Sequence, residues 1–160
     1  MKKILSGLLL IGIASLGFAQ TSNSCDTTYL KSEKNIKKLD QCIPVISDYV
    51  LKQPLHDLNE VGHFYRGFIL KWMDKTPDYT FHLNDKMMDI CKEDNNLLLF
   101  GVYTTCLAKS SVQFKKSFDK EAIKIFVTYI SNPDNKVEQT AKIKKLIADA
   151  KANRIEAYVK

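Results

Sequence analysis

The chain has 160 residues, 45% hydrophobic and 26% charged, with a formal net charge of +6. That is one domain's worth of chain with enough apolar residues for a sizeable core. Sparse glycine and proline exclude a low-complexity linker, and no period of the solenoid kind recurs.

The first residues read "MKKILSGLLLIGIASLGFAQ". Lys2 and Lys3 form a basic start, Ile4 to Phe18 an apolar run, and Gly17 and Ala19 the small residues before a cut at Gln20. This pattern predicts a secretory signal peptide over 1–19 and a single helical domain over 20–160. The run is short for a membrane span and no basic stop-transfer cluster follows it, which disfavours a retained anchor. "TSNS" before Cys25 is polar, which disfavours a lipoprotein acylation signal. No later stretch is long and uncharged enough to cross a bilayer, so no transmembrane segment is expected after cleavage. The predicted destination is the periplasm or the extracellular medium.

The remaining apolar pattern is helical. Thr27 or Thr28 begins a thinly apolar helix through about Gln41, and Pro44 suits the first turn of the next, "PVISDYVLKQ". After Pro54, "LHDLNEVGHFYRGFILKWMDK" places Leu58, Val61, Phe64, Tyr65, Phe68, Ile69 and Trp72 on one face. "TPDYTFHL" interrupts, since Pro77 disfavours helix at Thr76. Asn84 caps "DKMMDICKE", "EDNN" is a loop, and "LLLFGVYTTCLAKSSV" has the composition of a buried strand, but its length and helical neighbours favour a central buried helix. Ser117 opens "KEAIKIFVTYIS", Asn132-Pro133-Asp134 stops it, and "NKVEQTAKIKKLIADAKA" is the last helix, ended near Asn153 before a short tail. The expected fold is an all-α bundle of about six or seven helices.

Charge is uneven along this bundle. Residues 20–108 carry 10 Lys and Arg against 12 Asp and Glu, whereas residues 109–160 carry 12 against 6. Such a basic stretch attracts acidic proteins, anionic membranes or nucleic acid, but its plainest reading is a lysine-rich solvated face. Export argues against a nucleic-acid partner.

Cys25, Cys42, Cys91 and Cys106 all survive cleavage, and an even count in an oxidising compartment predicts disulfides. Four cysteines allow three pairings; the local one joins Cys25 to Cys42 and Cys91 to Cys106. The absence of C-x-x-C argues against a thioredoxin-like site, a zinc ribbon and covalent haem attachment.

His56, Glu60 and His63 stand at i, i+4 and i+7, which on a continuous helix places two imidazoles and a carboxylate on one side. That is metal-ligand chemistry at metal-ligand spacing. Its phase opposes the apolar stripe, and only one Glu-x-x-His pair is present where a di-iron bundle needs two, so a solvated face is the competing reading. Gly67 on the same side leaves room for a helix or partner. No H-E-x-x-H, G-x-S-x-G or phosphate loop is present, so no catalytic residues and no cofactor are assigned. Trp72, Tyr79 and Phe81 are either core or the lining of a partner-binding groove beside "TPDYTF".

With "FILKWMDKTPDYTF" and "YISNPDNKVEQTAKIKKLI" behind a signal peptide, the chain resembles small secreted all-helical proteins of Gram-negative bacteria. The resemblance implies a fold class and an export route, not an activity. In size and export the chain is also similar to small periplasmic immunity proteins stapled by cysteines. The expected function is therefore non-enzymatic binding of a macromolecule, an unidentified protein partner foremost. An inhibitor or immunity-type protein and a metal-binding protein or metal-dependent enzyme using His56, Glu60 and His63 are the alternatives.

Overall fold

The computed structural model describes Cys25 and residues 33–93, 97–115 and 118–159. The predicted signal peptide, the first turns of the predicted opening helix and Ser117 lie outside the described residues. Within them the chain is all-α: a one-turn α1 (Glu33–Ile36) and six longer helices, with no strand. These are α2 (Ile43–Leu51), α3 (Glu60–Lys75), α4 (Asp85–Cys91), α5 (Leu98–Phe114), α6 (Phe118–Ser131) and α7 (Ala141–Lys151). Short 3₁₀ turns cover Lys37–Leu39, Pro133–Asn135 and Ile155–Tyr158.

α5 is the axis. It is buried nearly all round, which an apolar surface alone does not explain, because Thr104, Thr105, Ser110 and Ser111 lie inside it. Each of these hydroxyls donates to a carbonyl one turn back, at 2.6–3.1 Å. They satisfy themselves on their own helix and enter the core at little desolvation cost.

Two layers pack on this axis. On one side Ile36, Leu39, Ile43, Ile46, Phe68, Ile69 and Trp72 of α1–α3 meet Ala108. On the other, α4, α6, α7 and the C-terminal turn surround Val102, Tyr103, Cys106 and Leu107. α6 buries Ala122, Ile123, Phe126, Tyr129 and Ile130, a spacing that keeps one helical face inward. Tyr103 and Phe126 meet edge to face with ring centroids 5.5 Å apart.

Three expectations change. The helix expected from Leu55 begins five residues later, at Glu60. The Leu55 amide donates to the Asn135 carbonyl at 3.0 Å, and its side chain is buried, so the segment before α3 is tied to the far loop. Asn59 then caps α3: its side chain accepts from the Gly62 amide at 2.8 Å, while its own amide donates to Gln53 Oε1 at 3.0 Å. A Cβ at Gly62 would come within 2.4 Å of the Leu58 side chain, which would have to shift to admit it.

The last helix likewise begins at Ala141, not Asn135, with Thr140 as its cap. The tail after it is not loose. Asn153 takes a left-handed φ of 61°, and the Arg154 amide closes onto the Asp149 carbonyl at 2.8 Å, a Schellman ending. This turns Ile155 and Tyr158 back into the core. Finally, the apolar stripe of α3 is shorter than expected. Phe68, Ile69 and Trp72 are buried, but Val61 and Phe64 are 47% and 57% exposed. They have the phase of the core but stand beyond the end of the layer it packs on.

Candidate functional site

The metal-ligand spacing of His56, Glu60 and His63 rests on a helix that does not include His56. His56 lies in the turn before Asn59; Glu60 and His63 sit on the first turn of α3, and all three are exposed. Among the described residues, no three His, Cys, Asp or Glu side chains come together as a metal-holding group. Gly67 faces open space.

Cys25 and Cys42 form a disulfide, with Cα atoms 5.6 Å apart. The expected Cys91–Cys106 bridge is not formed: both are buried free thiols, one at the end of α4 and one in mid-α5. Burial pushes the Cys91 thiol up to about 12 and raises Cys106 as well, so neither is a ready thiolate nucleophile.

The basic second half of the chain is not simply a solvated face. Lys109 pairs with Asp48 at 2.6 Å, Lys136 with Asp57 at 2.7 Å, and Lys142 with both Asp89 and Glu93 at 2.8 and 2.9 Å. Cations of the second half thus meet anions of the first. Lys145, Arg154 and Tyr158 converge on Asp149, which stands almost buried and holds the tail turn to α7.

The site that does assemble lies at the loop after α3. Trp72 is fully buried and so is no surface anchor, contrary to its reading as a groove residue. It is the floor. Tyr79 and Phe81, half-buried, pack against it tilted and edge-on, with centroids 5.7 and 6.0 Å away, and Phe118 of α6 packs on Phe81 at 5.8 Å. Beside these rings opens a cleft of about 470 Å³ lined by Asp40, Asp78, Tyr79, Thr80, Lys115 and Phe118. That volume lies within the range of small-molecule and side-chain pockets.

Its polar groups are held from three directions. The Trp72 indole N–H donates to Asp40 Oδ1 at 3.1 Å, across 32 residues of sequence. The disulfide at Cys42 anchors the backbone two residues beyond Asp40. Lys37 reaches over to Asp78 at 2.9 Å and so ties α1's extension to the "TPDYTF" loop. Lys115 closes α5 with a positive φ of 51° and places its residue on the rim.

Burial raises the Asp40 carboxyl above its ordinary value; the indole hydrogen bond opposes this, the Asp78 charge adds to it, and Lys37 partly offsets it. Burial and the same two carboxylates also raise the Tyr79 hydroxyl. Of this site, sequence pattern pointed to Trp72, Tyr79 and Phe81. It missed Asp40, Asp78, Lys115 and Phe118, each a commonplace surface or helix-start residue until the chain closes. The "WMDKTPDYTF" run, aromatics around a proline turn, was the only local signal.

Set against protein-family models, curated proteins and solved structures, the chain matches none. What the geometry defines is therefore a class: a disulfide-stapled all-α bundle with an aromatic and acidic cleft at one loop.

Proposed function

We propose that the chain is an exported, non-enzymatic binding protein that engages another macromolecule, foremost a protein, through the cleft beside Tyr79. The observation that supports this is the cleft itself: aromatic rings and unequal charges gathered from the turn before α2, the loop after α3, the end of α5 and the start of α6. Rings fixed by a packed floor, with polar groups at the rim, are the usual anatomy of a recognition site. The basic start, apolar run and small-residue cut of residues 1–19 support export, as does the Cys25–Cys42 disulfide. No helix among the described residues is long and apolar enough to cross a membrane.

A photo-crosslinking residue placed at Thr80, exposed on the cleft, tests the reading against the same residue at Lys151, exposed on α7. In the cell-envelope fraction, Thr80 should give a discrete adduct that Lys151 does not. The same adducts from both positions, or none from either, reject the cleft as a partner site. Mass analysis of the purified protein should find Gln20 as the first residue; a chain retaining residues 1–19 would reject export by cleavage.

A further inference from the structure

We propose that the cleft binds an organic cation, a protonated amine or a guanidinium, seated between the Asp40 carboxylate and the rings of Tyr79 and Phe118. This rests on the reading of the cleft as a binding site and names the chemistry it selects.

Three observations carry it. The first is an unbalanced carboxylate. Among the described residues no lysine or arginine forms an ion pair with Asp40; the nearby Lys37 is engaged with Asp78. Asp40 accepts the indole N–H on Oδ1, and that donor carries no charge to balance the carboxylate. A half-buried carboxylate whose partner is uncharged gains most from a cation, because opposite charges attract more strongly away from bulk water.

The second is the wall. Tyr79 and Phe118 line the same cleft, and aromatic faces carry the negative end of the ring quadrupole. An ammonium or guanidinium meets both kinds of partner at once; an anion meets neither. The third is Asp78, whose bond to Lys37 is on the surface. Asp78 also lines the cleft, and a carboxylate holds more acceptor sites than its one bond to Lys37 uses, so it can take a second N–H of the ligand without releasing Lys37. The rim residue Lys115 sets a limit. It disfavours a long polycation and suits a ligand whose far end is neutral or anionic.

The cation has two possible sources, a free small amine or the Lys or Arg side chain of a partner, and the test separates them. Trp72 is the sole tryptophan and donates to Asp40, so its emission reports on that carboxylate. The mature protein is titrated with butylammonium and butylguanidinium, with pentan-1-ol as the neutral counterpart. In parallel it is titrated with a capped pentapeptide holding a central arginine, and with the same peptide holding citrulline.

The expected result is a saturable change with the cations and the arginine peptide, and none with the alcohol or the citrulline peptide. Tighter binding of the peptide assigns the source to a protein partner; tighter binding of the free cation assigns it to a small molecule. Asp40→Asn keeps an acceptor for the indole and should weaken binding about tenfold or more, with helical circular dichroism unchanged. If that variant does not fold, Tyr79→Leu decides, with an expected loss of about two- to fivefold. Absence of saturable cation binding, or binding unchanged in these variants, overturns the proposal. A partner that crosslinks at Thr80 while no cation binds leaves the binding reading standing and removes only its ligand chemistry.

Discussion

The two layers on α5 are built differently. The C-terminal layer, α4, α6 and α7 with the returning tail, is closed: its apolar residues are covered, and Asp149 and the lysine–carboxylate pairs bind its rim. The N-terminal layer, α1–α3, is open at its edges. Of the seven exposed large hydrophobics among the described residues, Val45, Tyr49, Val61, Phe64 and Leu70 belong to it, and so do the disulfide and most of the cleft. One layer is sealed, and the other leaves large apolar side chains exposed. Recognition surfaces carry groups that are not fully satisfied within the fold, and these concentrate on one side here.

Perturbing each layer in turn tests this division. The largest effect is expected from Phe126→Ala, which empties a fully buried ring position under Tyr103 and should cost ~3–5 kcal/mol in urea unfolding. Followed by both circular dichroism and Trp72 fluorescence, the two transitions should shift together if the layers unfold as one unit. A shift in the helical signal alone would show that they unfold separately. Next, Cys25→Ser with Cys42→Ser removes a cross-link over 17 residues and should cost ~2–4 kcal/mol, with the wild type losing a similar amount in reductant.

Asp149 separates the layers by pH. Lys145, Tyr158 and Arg154 hold its carboxyl well below the usual carboxylate range. A depressed folded value means its contribution is full above the unfolded value, about pH 4, and is lost as pH falls below it. Asp149→Asn should therefore flatten the acid limb of a stability-against-pH profile below about pH 4. It should also speed amide exchange in Ile155–Tyr158; an acid limb identical to wild type would remove Asp149 from this role. A smaller loss, ~1 kcal/mol, is expected for Asn59→Ala at the α3 cap, read by urea unfolding. The smallest belongs to Phe64→Ala, within ~0.5 kcal/mol, against a large loss for Phe68→Ala one turn away. Equal losses for the two would contradict the open edge.

The helical period of α6, the length of the apolar run of α5, the Asn84 cap and the stop at Asn132–Pro133 were legible because each depends on residues close in sequence. The late starts of α3 and α7 were not. Whether Leu55 joins a helix depends on the Asn135 carbonyl, which sequence pattern cannot bring near. The charge asymmetry was legible as a number but not as a bond pattern, since Lys136–Asp57 spans 79 residues. The cleft was half legible for the same reason: Trp72, Tyr79 and Phe81 are close in sequence, whereas Asp40 and Phe118 arrive only through tertiary packing.

The two buried thiols give the closed layer a clock. Cys91 and Cys106 are sealed in it and held protonated by burial, so a thiol-modifying reagent reaches them only when the layer parts. The rate at which they are alkylated under native conditions is then the rate or equilibrium of that opening, depending on whether modification or reclosure is faster. In an oxidising compartment the same seal keeps them from exchanging with the Cys25–Cys42 bridge.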